Sequence, residues 1–185
     1  MKFLFSHTEF QGLVIIEPQV FSDARGYFSE TFNSKEFLIH KNEYFFVQDN
    51  ESHSSYGVLR GLHFQFGNNA QAKLVRVVYG EVIDVVVDLR PDSKTFLRHY
   101  NIILSASNKK QLLIPRGFAH GFCVLSETAI FSYKCDNYYS PASEGGIHPL
   151  DPELNIQWGI PETELIISAK DLALPMLSEY LKNAH

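Results

Sequence analysis

The chain has 185 residues, 45% of them apolar and 20% charged, which suits one packed domain and is neither long enough for two nor polar enough for a disordered chain. Acidic residues outnumber Lys and Arg 21 to 16, a formal net charge of -5. With no basic field to hold a nucleic acid, any anionic partner should be small and met by a few placed cations.

The first seven residues carry too short an apolar run for a signal peptide. No later run approaches the roughly eighteen apolar residues that span a bilayer. Cys123 and Cys135 fit no C-x-x-C pattern and sit in apolar stretches, as buried thiols of an intracellular protein do. The expectation is a cytoplasmic, soluble chain that engages no membrane. Aromatic residues reach 14%, with fifteen Phe and nine Tyr, a supply suited to half-buried strands.

In chain order, residues 13–17 and 26–31 read as strands. Ser34 is placed to cap a short helix running to His40. Residues 45–50 and Val58–Gln65 read as further strands. Residues 73–79 and 81–89 are two β-rich runs around Gly80 and suggest a hairpin. In the second run Ile83, Val85, Val87 and Leu89 share one face, and Val82, Asp84, Val86 and Asp88 the other. A strand apolar on both faces lies between two layers. Strands are also expected at 98–105, Gln111–Ile114, 119–125 and 129–134. The stretch 140–160, bracketed by Pro141 and Pro161, reads as a covering loop, and Asp171 as the start of a helix toward Leu181. Many short strands without β-α alternation, and without a glycine-rich phosphate loop, predict an all-β sandwich or barrel.

Polar groups concentrate in three of these stretches. In Leu59-Arg60-Gly61-Leu62-His63-Phe64-Gln65, alternation sends Arg60 and His63 to opposite faces, unless Gly61 introduces a bulge that re-aims one of them. Pro115-Arg116-Gly117-Phe118-Ala119-His120 delivers a second histidine at a strand start, and Tyr133 lies in the third stretch, 131–135. Taken alone, each of these residues also fits a plain structural role.

The Pro-x-Gly-x-x-His stretch resembles the second motif of the cupin superfamily, a jelly-roll β-barrel, and residues 57–65 take the place of the first. Metal-binding cupins use a His-x-His pair and a Glu there. Here His63-Phe64-Gln65 lacks the second histidine, and Asn68-Asn69 stand where the acid belongs, so no metal site is expected.

Seven blocks taken together resemble the dTDP-4-dehydrorhamnose 3,5-epimerase family: 21–28, 46–50, 58–65, 72–76, 114–122, Tyr133-Lys134 with Tyr138 to Pro141, and 168–171. The resemblance implies one cupin-type domain over residues 1–185 with a few short peripheral helices, one of them near 171–183. It also implies a homodimer that exchanges N-terminal strands, so that part of each site comes from the partner. The substrate implied is a dTDP-linked 4-keto-6-deoxyhexose inverted at carbons 3 and 5. Both hydrogens lie α to the carbon-4 ketone, so a base and an acid suffice without a cofactor.

By resemblance His63 is the base, Asp171 its dyad partner, Tyr133 the proton donor and Lys73 a cation beside the sugar, with His120 assisting or binding substrate. Arg25 and Arg60 match phosphate-binding positions, and Gln48, Asn50 and Glu30 nucleoside-binding ones. Tyr139 matches a thymine-stacking aromatic, and Glu144 and Lys170 further substrate contacts. Asp84 reads equally as an orienting residue or a satisfied core acid. The chain departs from the family pattern at Ile147-His148-Pro149-Leu150 and at Asn68-Asn69, which bears on the fine shape of the site. An epimerase acting at only one carbon or on a different nucleotide 4-keto sugar, a cupin that binds a nucleotide sugar without turnover and a metal-dependent cupin oxygenase are the alternatives.

Overall fold

The computed structural model describes residues 2–39 and 44–183. Its strands are β1 (Phe3–His7), β2 (Val14–Pro18), β3 (Val20–Asp23), β4 (Gly26–Ser29), β5 (Gln48–Ser55), β6 (Val58–Gln65), β7 (Lys73–Tyr79), β8 (Glu81–Asp88), β9 (His99–Ser105), β10 (Gln111–Ile114), β11 (Phe118–Val124), β12 (Thr128–Cys135), β13 (Glu144–Gly146) and β14 (Ile166–Ile167). The helices are α1 (Ser34–Ile39), α2 (Ala169–Leu172) and α3 (Leu177–Asn183). No helix among the described residues is long and apolar enough to cross a membrane.

Two sheets face each other. The first runs β1-β2-β10-β7-β12-β5, and the second runs β13-β6-β11-β8-β9 with β14 beside β6. Val75, Leu112 and Phe131 of the first meet Val82, Val86 and Phe122 of the second in the central core. Each sheet is also covered outside. Ile83, Val85 and Val87 pack under Leu154, Trp158 and Leu177, while Ile16, Leu74 and Leu113 pack under Phe37 of α1. Each such fully buried side chain contributes roughly 1.5–3 kcal/mol. This is the expected cupin-type jelly roll, and β8 is apolar on both faces because it lies between two cores.

The expected hairpin at Gly80 is instead a corner. β7 pairs with β10 and β12, whereas β8 pairs with β11 and β9, so the chain changes sheets at Gly80. Gly80 has φ +77°, and a Cβ there would collide with the carbonyl of Thr128. The flanking Glu81 amide donates to Ser126 Oγ at 2.8 Å. A local β-turn-β pattern does not distinguish a hairpin from a corner, because only the neighbouring loop fixes which way the second strand leaves.

Other boundaries shift for physical reasons. The strand expected at 45–50 begins at Gln48 and runs to Ser55, since Phe46 packs on the outer core beneath α1. The strand expected at 26–31 stops at Ser29 and pairs with β3, which the pattern did not reveal, and β1 was also unforeseen. Asn33, not Ser34, caps α1: its Oδ1 accepts from the Lys35 amide at 3.1 Å. His40 lies outside the described residues. The helix expected from Asp171 is two, α2 and α3, and Ser168 caps the first. The stretch 140–160 does cover a sheet, but it includes β13 and buries Ile147, Leu154 and Trp158 against the second sheet's outer face.

Candidate active site

A cavity of about 430 Å³ opens between the sheets and is lined by Arg60, His63, Lys73, His120, Tyr133, Lys170 and Asp171, among others. Beside it lies a smaller one of about 110 Å³, with Gln48, Asn50, Tyr139 and Glu144 in its walls; His63, Lys73 and Tyr133 line both.

Arg60 and His63 share the cavity because of a bulge. His120 pairs with His63 and Phe122 with Arg60, so β6 advances three residues while β11 advances two. The alternation therefore changes parity at Gly61: Leu59, Leu62 and Phe64 face the outer core, while Arg60, His63 and Gln65 line the cavities. Gly61 has φ +124°, and a Cβ there would lie 2.6 Å from Gly121 Cα. Only glycine suits that position. Gln65, which stands where metal-binding cupins carry a ligand, is engaged by Ser140, whose amide donates to its Oε1 at 2.8 Å.

His63 and Asp171 meet although 108 positions apart. The Nε2 of His63 lies 2.9 Å from Asp171 Oδ1, and Asp171 Oδ2 accepts from the Gly61 amide at 3.2 Å. An ionised carboxylate only accepts, so His63 carries its proton on Nε2 and leaves Nδ1 basic. Burial pushes the Asp171 carboxyl up, but hydrogen bonds from His63, Gly61 and Ser168 outweigh it and hold the group below the usual carboxylate range.

The facing wall belongs to the other sheet. Tyr133 projects from β12, and Lys73 Nζ stands 5.8 Å from the centre of its ring. Burial raises the Tyr133 hydroxyl and lowers the Lys73 ammonium, the latter opposed by Cys135, Asp84 and Glu144. Among the described residues, Lys73 has no carboxylate at ion-pair distance, and the Tyr133 hydroxyl makes no hydrogen bond. Both are free for a ligand.

Polar side chains knit the smaller cavity together. Lys170 Nζ donates to both Glu144 oxygens at 2.8 Å, Tyr139 Oη donates to Glu144 at 2.9 Å, and the Tyr139 amide donates to Gln48 Oε1 at 3.1 Å. Gln48 in turn donates to Asn50 at 3.1 Å. Their mutual bonds raise Lys170 and lower Glu144, and the bond to Glu144 raises Tyr139.

Two of the expected site residues lie elsewhere. Arg25 is almost fully exposed on the β3–β4 hairpin and pairs with Asp23 at 2.6 Å, while Glu30 pairs with Lys2 at 3.0 Å. Two residues that sequence reasoning missed act on the site: Ser54, whose Oγ accepts from Arg60 Nε at 3.1 Å, and Ser168, whose Oγ accepts from the Asp171 amide at 3.1 Å. The Ser-Ala-Lys-Asp sequence at 168–171 is a helix-capping pattern and was the one available signal for Ser168. No cluster of metal-ligating side chains occurs among the described residues.

A family model described as dTDP-4-dehydrorhamnose 3,5-epimerase matches residues 7–179. The chain belongs to the dTDP-4-dehydrorhamnose 3,5-epimerase family. It is thus an isomerase by family. It is 52% identical over 179 residues to the dTDP-4-dehydrorhamnose 3,5-epimerase of Salmonella typhimurium, covering 94% of this chain and 95% of that one. The crystal structure of the Elizabethkingia anophelis enzyme superposes with a TM-score of 0.93 at 53% identity, covering 97% of this chain and 98% of that one. A third relative, the dTDP-6-deoxy-D-glucose-3,5-epimerase of Legionella pneumophila in complex with dTDP-4-keto-L-rhamnose, has a TM-score of 0.90 at 48% identity, with 95% and 93% covered.

The departures from the epimerase pattern fall outside the two cavities. Ile147 and Leu150 pack in the outer core, His148 accepts from the Leu150 amide at 3.2 Å, and Asn69 donates to Ser143 Oγ at 2.8 Å. None of them lines either cavity.

Proposed function

We propose that the two walls of the cavity divide a 3,5-epimerisation between them, acting on a dTDP-linked 4-keto-6-deoxyhexose, with residues 1–185 as one catalytic domain. The hydrogens at carbons 3 and 5 are acidic because each resulting carbanion delocalises onto the carbon-4 oxygen. His63 Nδ1 removes a proton, and Asp171 stabilises the imidazolium that forms. Lys73 meets the charge that develops on the enolate oxygen. Tyr133 returns a proton from the opposite side, which inverts the centre. No hydride moves, so the reaction needs no redox cofactor.

Arg60, oriented by Ser54, binds the diphosphate through the nitrogens that Ser54 leaves free. His120 lies beside the sugar. The smaller cavity takes the nucleoside, with Gln48 and Asn50 on its polar edge, Tyr139 stacked on thymine, and Glu144 and Lys170 at the rim. The observation that carries this reading is the placement of His63 and Tyr133 on opposite sheets around one cavity. Incubation with dTDP-4-keto-6-deoxyglucose should give the L-configured 4-keto sugar by proton NMR, and recovery of unchanged substrate would overturn the reading.

The same reading makes the enzyme a homodimer in which Arg25 and Glu30 complete the neighbouring subunit's site. Support comes from the β3–β4 hairpin, where Phe21, Tyr27 and Phe28 are 52%, 60% and 67% exposed, an apolar patch that a second copy would cover. Mixing inactive Arg25→Ala and His63→Ala subunits should restore part of the activity through hybrid dimers. No recovery after confirmed subunit exchange would remove Arg25 from the neighbour's site.

A further inference from the structure

Two carboxylates, Asp84 and Asp88, lie four residues apart on one face of β8, and both are fully buried. Their surroundings differ. Asp88 accepts from Arg90 Nε at 2.8 Å and Nη2 at 2.7 Å, and from the hydroxyls of Ser93 and Thr95 at 2.6 Å each. It is a satisfied core acid that closes the turn after β8. Among the described residues the Asp84 side chain has one partner, His120 Nε2, 2.8 Å from its Oδ2. Its Oδ1 is buried and has no hydrogen-bond partner among the described residues. Burying a carboxylate oxygen away from protein donors is costly, and a catalytic role is one of the recognised reasons for such a group in a native protein.

The imidazole it holds is fixed from a second side. The His120 ring stacks on Phe131 at 5.9 Å between centroids, and Phe131 stacks on Phe122 at 4.2 Å. Because Asp84 only accepts when ionised, His120 carries a proton on Nε2, and Nδ1 is the nitrogen left without a protein partner among the described residues. His63 and His120 are direct cross-strand neighbours. The second sheet therefore presents two His-Asp pairs side by side, one carboxylate from α2 and the other from β8.

We propose that Asp84 is a positioning residue of the epimerase site: it fixes the tautomer of His120 and, through its buried negative charge, supports the ammonium of Lys73 on the opposite wall. The inference rests on the epimerase reading, since that reading gives Lys73 and His120 their work at the sugar. Asp84 is one of the three groups that oppose the burial of Lys73, with Cys135 from β12 and Glu144 from β13. Arg60 and His63 from β6, His120 from β11, Tyr133 from β12, Lys170 and Asp171 from α2, and Tyr139 from the loop after β12 complete the titratable groups of the two cavities. Removing the Asp84 charge leaves burial less opposed, so Lys73 loses its proton at lower pH.

The test is Asp84→Asn in the full-length protein, with rates measured across the neutral and alkaline range. The expected result is a kcat lower by roughly 10- to 100-fold, the rate equivalent of one charge-assisted hydrogen bond. The alkaline limb should also move to lower pH, while dTDP affinity stays within about twofold of wild type, as expected of one lost contact distant from the nucleoside cavity. Unchanged kcat with an unmoved alkaline limb would overturn the proposal. Nitrogen-15 NMR of the wild-type histidines judges it independently of whether the variant folds: His120 protonated on Nε2 supports it, and a neutral Nδ1–H tautomer overturns it. Should the wild-type chain fail to convert the substrate, the epimerase reading falls, and the tautomer measurement still decides whether Asp84 fixes His120.

Discussion

His63 and Asp171 form a hydrogen-bonded pair across 2.9 Å, the histidine half-buried and the carboxylate buried, because two local devices converge: a bulge in β6 turns the histidine inward, and a capped four-residue helix turns the carboxylate toward it. The carboxylate orients the imidazole through Nε2, while chemistry occurs at Nδ1. Asp171→Asn keeps the shape and removes the charge. Its kcat should fall by about 10²- to 10⁴-fold, the range of general acid-base contributions, with dTDP binding retained. A loss of less than about threefold would be too small for a general-base partner.

The alkaline limb of the pH-rate profile should belong to Lys73. Burial moves the two free groups of the first sheet in opposite senses, lowering the lysine and raising the tyrosine. The lysine's charge is therefore lost at lower pH than that of a free lysine, whereas Tyr133 keeps its proton to higher pH than a free tyrosine. Replacement by arginine, which stays charged, should extend activity to higher pH in whatever rate Lys73→Arg retains. Tyr133→Phe should leave the limb of the residual reaction in place. If Tyr133→Phe abolishes the limb, the assignment reverses.

Acid stability offers a test of the frame. Burial pushes the Asp88 carboxyl up, but the bonds from Arg90, Ser93 and Thr95 outweigh it and bring it to about 2. The folded value lies below the unfolded one of about 3.9, so this contribution is complete above about pH 4 and is lost as pH falls toward 2. Its size is roughly 2 kcal/mol. Asp88→Asn should melt at a lower temperature than wild type at neutral pH, with the gap closing on acidification. A gap that widens in acid would contradict the sign of this argument.

Gly61 carries the bulge. A methyl group there would meet the backbone of Gly121 at 2.6 Å and His120 O at 2.8 Å, at φ +124°. Gly61→Ala should destabilise the protein by about 2–4 kcal/mol and lower activity further in whatever fraction folds, since Arg60 and His63 would lose their common face. Thermal melting and activity per folded molecule measure the two effects separately. Wild-type values for both would show that the bulge does not depend on glycine.

The sequence disclosed more of the chemistry than of the path that assembles it. Val82 to Leu89, apolar on both faces, announced a strand between two layers, and Gly61 beside Arg60 and His63 raised the possibility of a bulge. The direction of the chain after Gly80 was not legible, because Thr128 and Ser126, nearly fifty residues on, decide it. Nor was β5: Gln48 to Ser55 is polar on both faces, since one lines the cavities and the other is open to solvent, so the adjacent aromatic run drew the boundary the wrong way. The resemblance singled out Arg25 and Glu30 together with the cavity residues, and one chain brings only the latter together. Asp84 remained ambiguous until its one side-chain partner among the described residues could be set against the five bonds of Asp88 from Arg90, Ser93 and Thr95.

The central claim is that His63 and Tyr133 work from opposite faces of one sugar, and hydrogen exchange in deuterated water tests it most directly. With dTDP-4-keto-6-deoxyglucose, the wild-type protein should introduce deuterium at carbons 3 and 5 with inversion, and His63→Ala should introduce none. Tyr133→Phe should still exchange protons while inverting poorly. Deuterium at only one carbon would mark a monoepimerase, and full inversion by Tyr133→Phe or exchange by His63→Ala would contradict the two-wall account.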